Sequence, residues 1–459
     1  MTTHRERGAS WLAPPLRALT VMLLVASAAS GALPHAARAQ TSATTQPTRA
    51  DSLHLGALQD SAVAHDPRGA QLALQRERTD LRLRTIAAEQ LPALAANAQA
   101  QYQSDVTRVG IVLPNGMAVP TPPHDTYDAY LDVHEPLFDP SRAPRRAVQR
   151  AELAQSEAAV HITLYSLRQQ VNDAFFDALT LQAEEAELDA AVANLRAQLA
   201  VASSRVRNGA ALPGDSAAIM AELLRRQQDR TQLEASRAAS LAVLADLTGD
   251  TLAPRGALAL PDLAARVAQA RASADTLSAR PEYAQYSTSR ALLATQQSQV
   301  VSATRPQLVA FARAGYGRPG LDMLHDQFEW YWLAGLKVQW APFTWGSNGR
   351  DLQSLGLQQR LVDTQESAFR SSLRRAATRA TAQLDFLKHA LASDSSIVSL
   401  REESAREARL RYDEGVITAA DYVTRETDLL NARLTRASHR VQLAQARANY
   451  LTMLGVEVH

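Results

Sequence analysis

Trp330-Tyr331-Trp332-Leu333-Ala334-Gly335-Leu336-Lys337-Val338-Gln339-Trp340 alternates with a period of two. Trp330, Trp332, Ala334, Leu336, Val338 and Trp340 fall on one apolar face, and Tyr331, Leu333, Gly335, Lys337 and Gln339 fall on the other. That is the spacing of a β-strand. Tryptophans at both ends of the apolar face fit the interfacial girdle of a membrane strand. A half-buried soluble strand with Trp330, Trp332 and Trp340 as core is the competing reading. Upstream, Leu308, Ala310, Ala312, Ala314 and Tyr316 alternate with Val309, Phe311, Arg313 and Gly315, so the two runs predict a β-hairpin over about 307–342.

The same plan stands earlier in the chain. Leu94, Ala96, Ala98, Ala100 and Tyr102 alternate with Asn97, Gln99, Gln101 and Gln103. A loop rich in Pro and Gly follows from Val112 to Asp125. Tyr127, Ala129, Leu131 and Val133 then alternate with Asp128, Asp132 and His134, which predicts a hairpin over about 93–136. Short motifs recur in register with these hairpins. Asp66-Pro67 and Leu91-Pro92 return as Arg280-Pro281 and Arg305-Pro306, an offset of 214. Glu135-Pro136-Leu137-Phe138, the glycine of Arg205-Val206-Arg207-Asn208-Gly209 and Leu247-Thr248-Gly249 return at 341–344, Gly415 and 453–455, an offset of 206. A period of roughly 200 residues is too long for a solenoid unit and reads as a duplicated module. Two similar modules in one chain suit a tubular assembly better than a single catalytic cleft.

Between the hairpins lie long helices. The run from about Ala143 to Arg207 has neither Pro nor Gly beyond Pro144. Val160, Leu164, Leu167, Val171, Ala174 and Ala178 form a heptad seam, as do Leu188, Val192, Leu195, Leu199, Ala202 and Val206. About 65 helical residues reach about 100 Å. Asn208-Gly209 stops this helix, Leu212-Pro213-Gly214-Asp215 turns the chain, and Asp215 is expected to cap the returning helix. The second copy stops at Gly415 and restarts near Asp421. The organisation expected is a first repeat over 67–250, a linker over 251–280 and a second repeat over 281–459.

The N-terminus reads as an export signal over 1–39. Arg5, Arg7 and Arg17 precede an apolar run from Ala18 to Ala29, and Ala37-Arg38-Ala39 before Gln40 is an A-x-A cleavage site. The apolar run is short for a membrane anchor. Residues 40–66 then form a polar tether and a short helix. No later stretch approaches the ~20 apolar residues of a spanning helix. The chain has no cysteine, hence no disulfide and no thiolate metal site. Its net charge of +1 gives no electrostatic argument for nucleic acid.

Taken in order, these features resemble the TolC-type outer-membrane efflux family. The residues that carry the resemblance are Leu53-His54-Leu55-Gly56-Ala57-Leu58 with Asp66-Pro67, Leu91-Pro92, Glu135-Pro136-Leu137-Phe138-Asp139, Arg205 through Asp215, Arg411 through Asp421, and Asn449-Tyr450-Leu451 with Gly455. They span essentially the whole chain after the export signal. The resemblance implies a mainly α, internally duplicated fold. A homotrimer builds a 12-stranded outer-membrane β-barrel, four strands from each chain, continued by a long α-helical barrel in the periplasm. It also implies a passive exit duct in efflux or type I secretion, with a periplasmic adaptor and an inner-membrane pump as partners. A soluble periplasmic coiled-coil adaptor is the alternative, and it has no need of two alternating aromatic hairpins. Physics asks for closure too, since an open sheet edge in lipid leaves backbone groups unsatisfied. Gln99, Gln101, Asp128, Asp132, Lys337 and Gln339 are then expected to face a wet lumen, and Trp330, Trp332 and Trp340 the lipid.

The helix tips are the candidate sites. Gly209, Gly214 and Gly415 are explained by turn chemistry alone. The resemblance adds an adaptor-docking surface at Arg205, Asn208, Gly209, Leu212, Gly214, Arg411, Tyr412, Gly415 and Val416. It also adds a periplasmic aperture. Asp421 matches one acidic member of its ring, Thr424 stands where a second acid is expected, and Ile417 stands where a gating arginine is expected. Asp215 matches that arginine's acidic partner. No enzyme signature accompanies these. Gly315-Tyr316-Gly317-Arg318-Pro319-Gly320 matches G-x-G-x-x-G, but Pro319-Gly320 leads into another strand rather than a helix. The histidines have no metal-ligand spacing, there is no G-x-S-x-G, and Glu184-Glu185 and Glu402-Glu403 diverge on helix surfaces. No catalytic residue, cofactor or metal is expected.

Overall fold

The computed structural model describes residues 53–107, 121–250, 257–272, 279–322 and 325–458. The export signal, most of the tether, and much of the first hairpin loop and of the linker lie outside the described residues. The elements run in the order α1 (Leu55–His65), α2 (Ala70–Ala88), β1 (Ala93–Tyr102), β2 (Asp125–Phe138), α3 (Arg142–Arg207), α4 (Pro213–Thr248), α5 (Ala264–Ala272), α6 (Pro281–Ser302), β3 (Gln307–Arg318), β4 (Glu329–Gln339), α7 (Ser347–Asp413) and α8 (Ala419–Leu454).

The four strands form one antiparallel meander in the order β1-β2-β3-β4. Its register holds the two faces apart. Asn97 pairs with Tyr130, Tyr130 with Gly315 and Gly315 with Tyr331, all on the polar face. Leu94 pairs with Val133, Val133 with Ala312 and Ala312 with Ala334, all on the apolar face. A slip by one residue would exchange the faces along a whole strand. β1 and β4 are the edges, and the outer side of each has no strand partner among the described residues.

The two expected heptad seams of α3 are buried except at Leu199 and Val206, which are half-buried. Val160, Leu164, Leu167, Val171, Ala174 and Ala178 all lie inside, as do Leu188, Val192, Leu195 and Ala202. α3 packs along α4 and α7 packs along α8, and α3 also packs on α8, which joins the two hairpins. The largest core lies where α1 and the segment ending in α5 cross these helices, around Phe175, Phe176, Leu244, Leu384, Leu387 and Leu451. The ring of Phe175 meets that of Phe176 edge-on at 5.2 Å. A buried polar network crosses the same core. Gln59 donates to Asn172 at 2.6 Å, and Asn172 donates to Thr452 at 3.0 Å and to Asn449 at 3.1 Å. With every amide partnered, these groups tie α1, α3 and α8 at one height. The network is not legible as a pattern in the sequence.

Two local expectations are corrected. Asp215 is not the N-cap of α4. Leu212 holds that position and Pro213 opens the helix, since a proline at N1 lacks only a donor that would be unused there. β2 also continues past Pro136 to Phe138, with an irregularity in its pairing to β3 between those residues. Pro136 still stands opposite Val309, and the register shifts just after it.

Candidate functional site

The two helix tips have the same backbone. Gly209 and Gly415 take left-handed φ values of 71° and 75°. At each tip two hydrogen bonds close the last turn: Gly209 N to Val206 O and Ala210 N to Arg205 O, then Gly415 N to Tyr412 O and Val416 N to Arg411 O. This is the glycine-terminated helix stop repeated at the offset of the duplication. The helices restart alike, with an aspartate in the third helical position. Asp421 Oδ2 accepts from Thr418 N at 3.3 Å, and Thr418 Oγ1 accepts from Asp421 N at 3.2 Å. Asp215 Oδ2 accepts from Leu212 N at 3.3 Å. Both carboxylates therefore serve helix starts, and both sit where the helix dipole favours negative charge.

Asp215 also does something Asp421 does not. Its Oδ1 accepts from Ala419 N, 3.3 Å away on the other hairpin. Arg205 donates to Asp413 Oδ1 at 3.1 Å, again from the first tip to the second. Beneath these contacts lies a small core of Ile219, Leu223, Ala408, Tyr412, Ala419 and Tyr422, with Ile417 packed against it. The rings of Tyr412 and Tyr422 stack at 5.4 Å. Ile417 thus contributes apolar packing where the resemblance led one to look for arginine. Asp421 and Thr424 are exposed beside it. Leu212 and Val416 are 73% and 68% exposed, apolar side chains left open at the ends of the hairpins. Asn208, Gly214 and Arg411 are exposed as well, and Arg411 pairs with Glu407 one turn back.

Behind the tips the hairpins share buried charge. Arg226 is 5% exposed, and its guanidinium meets Glu222 at 2.8 Å and Asp229 at 3.3 Å on its own helix and Thr427 at 3.4 Å on α8. No sequence pattern singles out Arg226. Glu426 lies nearby and accepts from Asn194 at 3.0 Å. Burial pushes its carboxyl above the usual carboxylate range, against the pull of Arg433 and Arg409. Burial likewise raises the phenols of Tyr412 and Tyr422. A raised carboxyl binds its proton more tightly folded than unfolded, so the ionised form at neutral pH is a local cost. Glu426→Gln is expected to raise the thermal transition at pH 7. The difference should close as pH falls through the range where Glu426 protonates. A variant less stable at pH 7 would show that Asn194 and the arginines outweigh burial.

The strand wall is the second part of the site. On the polar face Arg313 forms a two-point pair with Asp132, at 2.8 and 3.1 Å, and lies 3.8 Å from the centre of the Tyr130 ring. Asp132 is 8% exposed. On that polar face its carboxylate is covered by the pair with Arg313. Tyr331 donates to Asp128 at 2.7 Å. Glycines make room for these large groups: a Cβ on Gly315 would lie 2.6 Å from Tyr331, and one on Gly335 would lie 2.9 Å from Phe311. Gln99, Gln101, Lys337 and Gln339 are exposed on this polar face. On the opposite face Trp330 and Trp332 are 81% and 76% exposed. Tyr127, Tyr316, Phe328 and Trp330 form a continuous aromatic cluster at the loop end of the strands. At the other end Trp340 donates its indole N–H to Thr304 O at 3.0 Å. Ten residues of tilted strand separate Trp330 from Trp340, about 25 Å, the height of the apolar band in a membrane barrel.

Among the described residues no group of acids and histidines could hold a metal ion, and no helix is long and apolar enough to cross a membrane. Neither a protein-family model nor a curated protein matches the sequence. Solved structures do. The outer membrane protein VceC from Vibrio cholerae is 17% identical, with 88% of this chain and 97% of that chain covered at a TM-score of 0.62. The open-state outer membrane channel MtrE of Neisseria gonorrhoeae is 18% identical over 88% of this chain and 89% of that chain, also at 0.62. The outer membrane channel CmeC of Campylobacter jejuni is 14% identical over 87% and 85%, at 0.61. Identity at this level speaks for the fold, and in its strand meander, its long helical hairpins and its duplicated order this chain has the fold of the TolC-type outer-membrane channels.

Proposed function

We propose that this protein is an outer-membrane channel, the passive exit duct of an efflux or type I secretion system. Three copies close their sheets into one barrel, and the helical hairpins continue it into the periplasm. The observation that carries this reading is the sheet itself. It is apolar on one face and polar on the other, and it ends in two unpaired edges. β1 and β4 run antiparallel to each other, so the edge of one copy can pair with the opposite edge of the next without breaking the up-and-down order. In lipid that pairing satisfies backbone groups that would otherwise cost several kcal/mol each. Chains carrying this fold, such as CmeC and MtrE, are channels rather than enzymes. Purification from the outer-membrane fraction and planar-bilayer recording test the reading. A stable, water-filled conductance is expected; recovery as a soluble periplasmic protein with no conductance would point to the coiled-coil adaptor alternative instead.

The tips are the periplasmic mouth in this reading. Leu212, Val416 and the turn residues beside them offer an adaptor an apolar, glycine-shaped contact. An inner-membrane pump supplies the energy, and no cofactor takes part. Arg205–Asp413 and Asp215–Ala419 hold the two tips together in place of an arginine at 417. Asp421 rings the aperture, one carboxylate from each copy, favouring cations and discouraging anions. Polyvalent cations added on the periplasmic side are expected to block conductance. Asp421→Asn should weaken that block without harming assembly, while Asp215→Ala should cost on the order of 1 kcal/mol of local stability through its lost capping bond. An unchanged block in the Asp421 variant would leave that residue with helix capping alone.

A further inference from the structure

The two copies of the strand-to-helix corner differ in one respect that the duplication makes visible. In the first copy the corner is Asp139-Pro140-Ser141, and at the offset of 206 its counterpart is Trp345-Gly346-Ser347. Asp139 neutralises its own surroundings. It accepts from Ser141 N at 2.9 Å and lies 3.5 Å from both Arg142 and Arg145, and Arg145 also pairs with Glu89. The second corner has no such acid. Trp345 is 93% exposed and Phe343 87% exposed. Trp345 holds a left-handed φ of 51°, a backbone state that a bulky residue rarely adopts. Arg350 folds back onto this corner and donates to Trp345 O at 2.7 Å and to Gly346 O at 3.3 Å. Trp340 is pinned to Thr304 O, beside Arg305. Among the described residues neither Arg305 nor Arg350 pairs with an acid, and both are exposed.

We infer that this second corner is a binding surface for anionic phospholipid in the inner leaflet of the outer membrane. The inference rests on the channel reading above. Two features fix the partner's chemistry. Three exposed aromatic side chains, Trp340, Phe343 and Trp345, follow the end of β4, beyond the apolar band of the strand and so at the level of headgroups and upper acyl chains in the barrel reading. Arg350 binds the carbonyl of Trp345 and Arg305 follows the Thr304 that holds Trp340, so both cations belong to this corner, and neither has an acidic partner among the described residues. A neutral lipid satisfies the first feature alone, and a water-soluble phosphate the second alone. An anionic phospholipid satisfies both. The first corner has its own carboxylate and takes no part, so each copy of the chain carries one such site.

The test uses the full mature chain in vesicles, with Trp330, Trp332 and Trp340 replaced by Phe so that Trp345 is the reporter. Two lipids carry the same nitroxide near the headgroup, one phosphatidylglycerol and one phosphatidylcholine. Labelled phosphatidylglycerol is expected to reach half-quenching at a mole fraction about 25-fold lower. Each arginine near the surface should account for roughly a fivefold preference. Arg305→Gln with Arg350→Gln should bring the two lipids together. Arg305→Gln alone should remove part of the preference, and it leaves the corner's hydrogen bonds intact. Trp345→Gly, which accepts the left-handed backbone, should keep conductance and assembly while the preference, read from retained Trp340, declines. Equal quenching by both lipids in conducting channels would overturn the inference and leave the channel standing. Absence of quenching in conducting channels would mean that a second copy covers the corner, which also overturns it. Failure to insert at all would overturn the channel reading and this inference together.

Discussion

Leu336→Arg is expected to abolish most outer-membrane assembly, while Gln99→Arg leaves it near the level of the unaltered protein. Leu336 lies on the apolar face of β4, opposite Ala310, and is 67% exposed. In the proposed barrel it meets lipid near the middle of the strand. A charge there costs roughly 2–4 kcal/mol per chain, and a closed assembly carries that cost once from every copy. Gln99 lies on the polar face, directly opposite Asp128. An arginine at 99 faces water and gains an acidic neighbour. The amount of folded assembly in the membrane fraction checks the pair. Equal yields would mean that the two faces have been assigned the wrong way round.

The second large effect is at Gly455. It closes α8 with φ 88°, and a Cβ there would lie 2.7 Å from the backbone carbon of Ala279 and 2.9 Å from the nitrogen of Arg280. Those are backbone atoms at the end of the linker, just before α6, and cannot swing aside as a side-chain tip could. Gly415 has a similar φ of 75°, but nothing lies within 4 Å of its Cβ position. Gly415→Ala therefore bears the conformational term alone, about 1–2 kcal/mol. Gly455→Ala adds an overpacking term of about 1–3 kcal/mol. Thermal or denaturant unfolding of the two variants should separate them clearly. Equal losses would show that the second repeat shifts at Ala279 to admit the side chain.

The sequence made the faces of this molecule legible and left its partners hidden. Alternation over 330–340 assigned each side chain of β4 to a face, because a period of two has only one solution once the core side is chosen. The seam from Val160 to Ala178 was legible for the same reason, at a helical period. Contacts between the hairpins were not. Arg205–Asp413, Asp215–Ala419, Arg226–Thr427 and Gln59–Asn172 each join residues more than a hundred positions apart. Periodicity tells which way a side chain points and is silent about what it meets there. Arg226 shows the limit well: no period marks it, yet its pairing with Glu222 and Asp229 on its own helix is what lets it be buried. The cap of α4 was expected at Asp215, three residues past its true position, because an apolar residue, Leu212, holds that place ahead of Pro213. Alternation put Asp132 on the polar face, and its pairing with Arg313, far along the chain, was not legible there. The unpartnered corner at Trp345 emerged only when the two copies of the repeat were compared in space.

The central claim is that one chain supplies one third of a closed barrel. Native mass spectrometry of the protein extracted from outer membranes in mild detergent tests this most directly, with the same sample run unheated and heated on semi-native gels. The account predicts a single assembly with the mass of three chains, falling to one chain on heating. A monomer before heating would contradict it, because the edges of β1 and β4 would then have no strand to pair with.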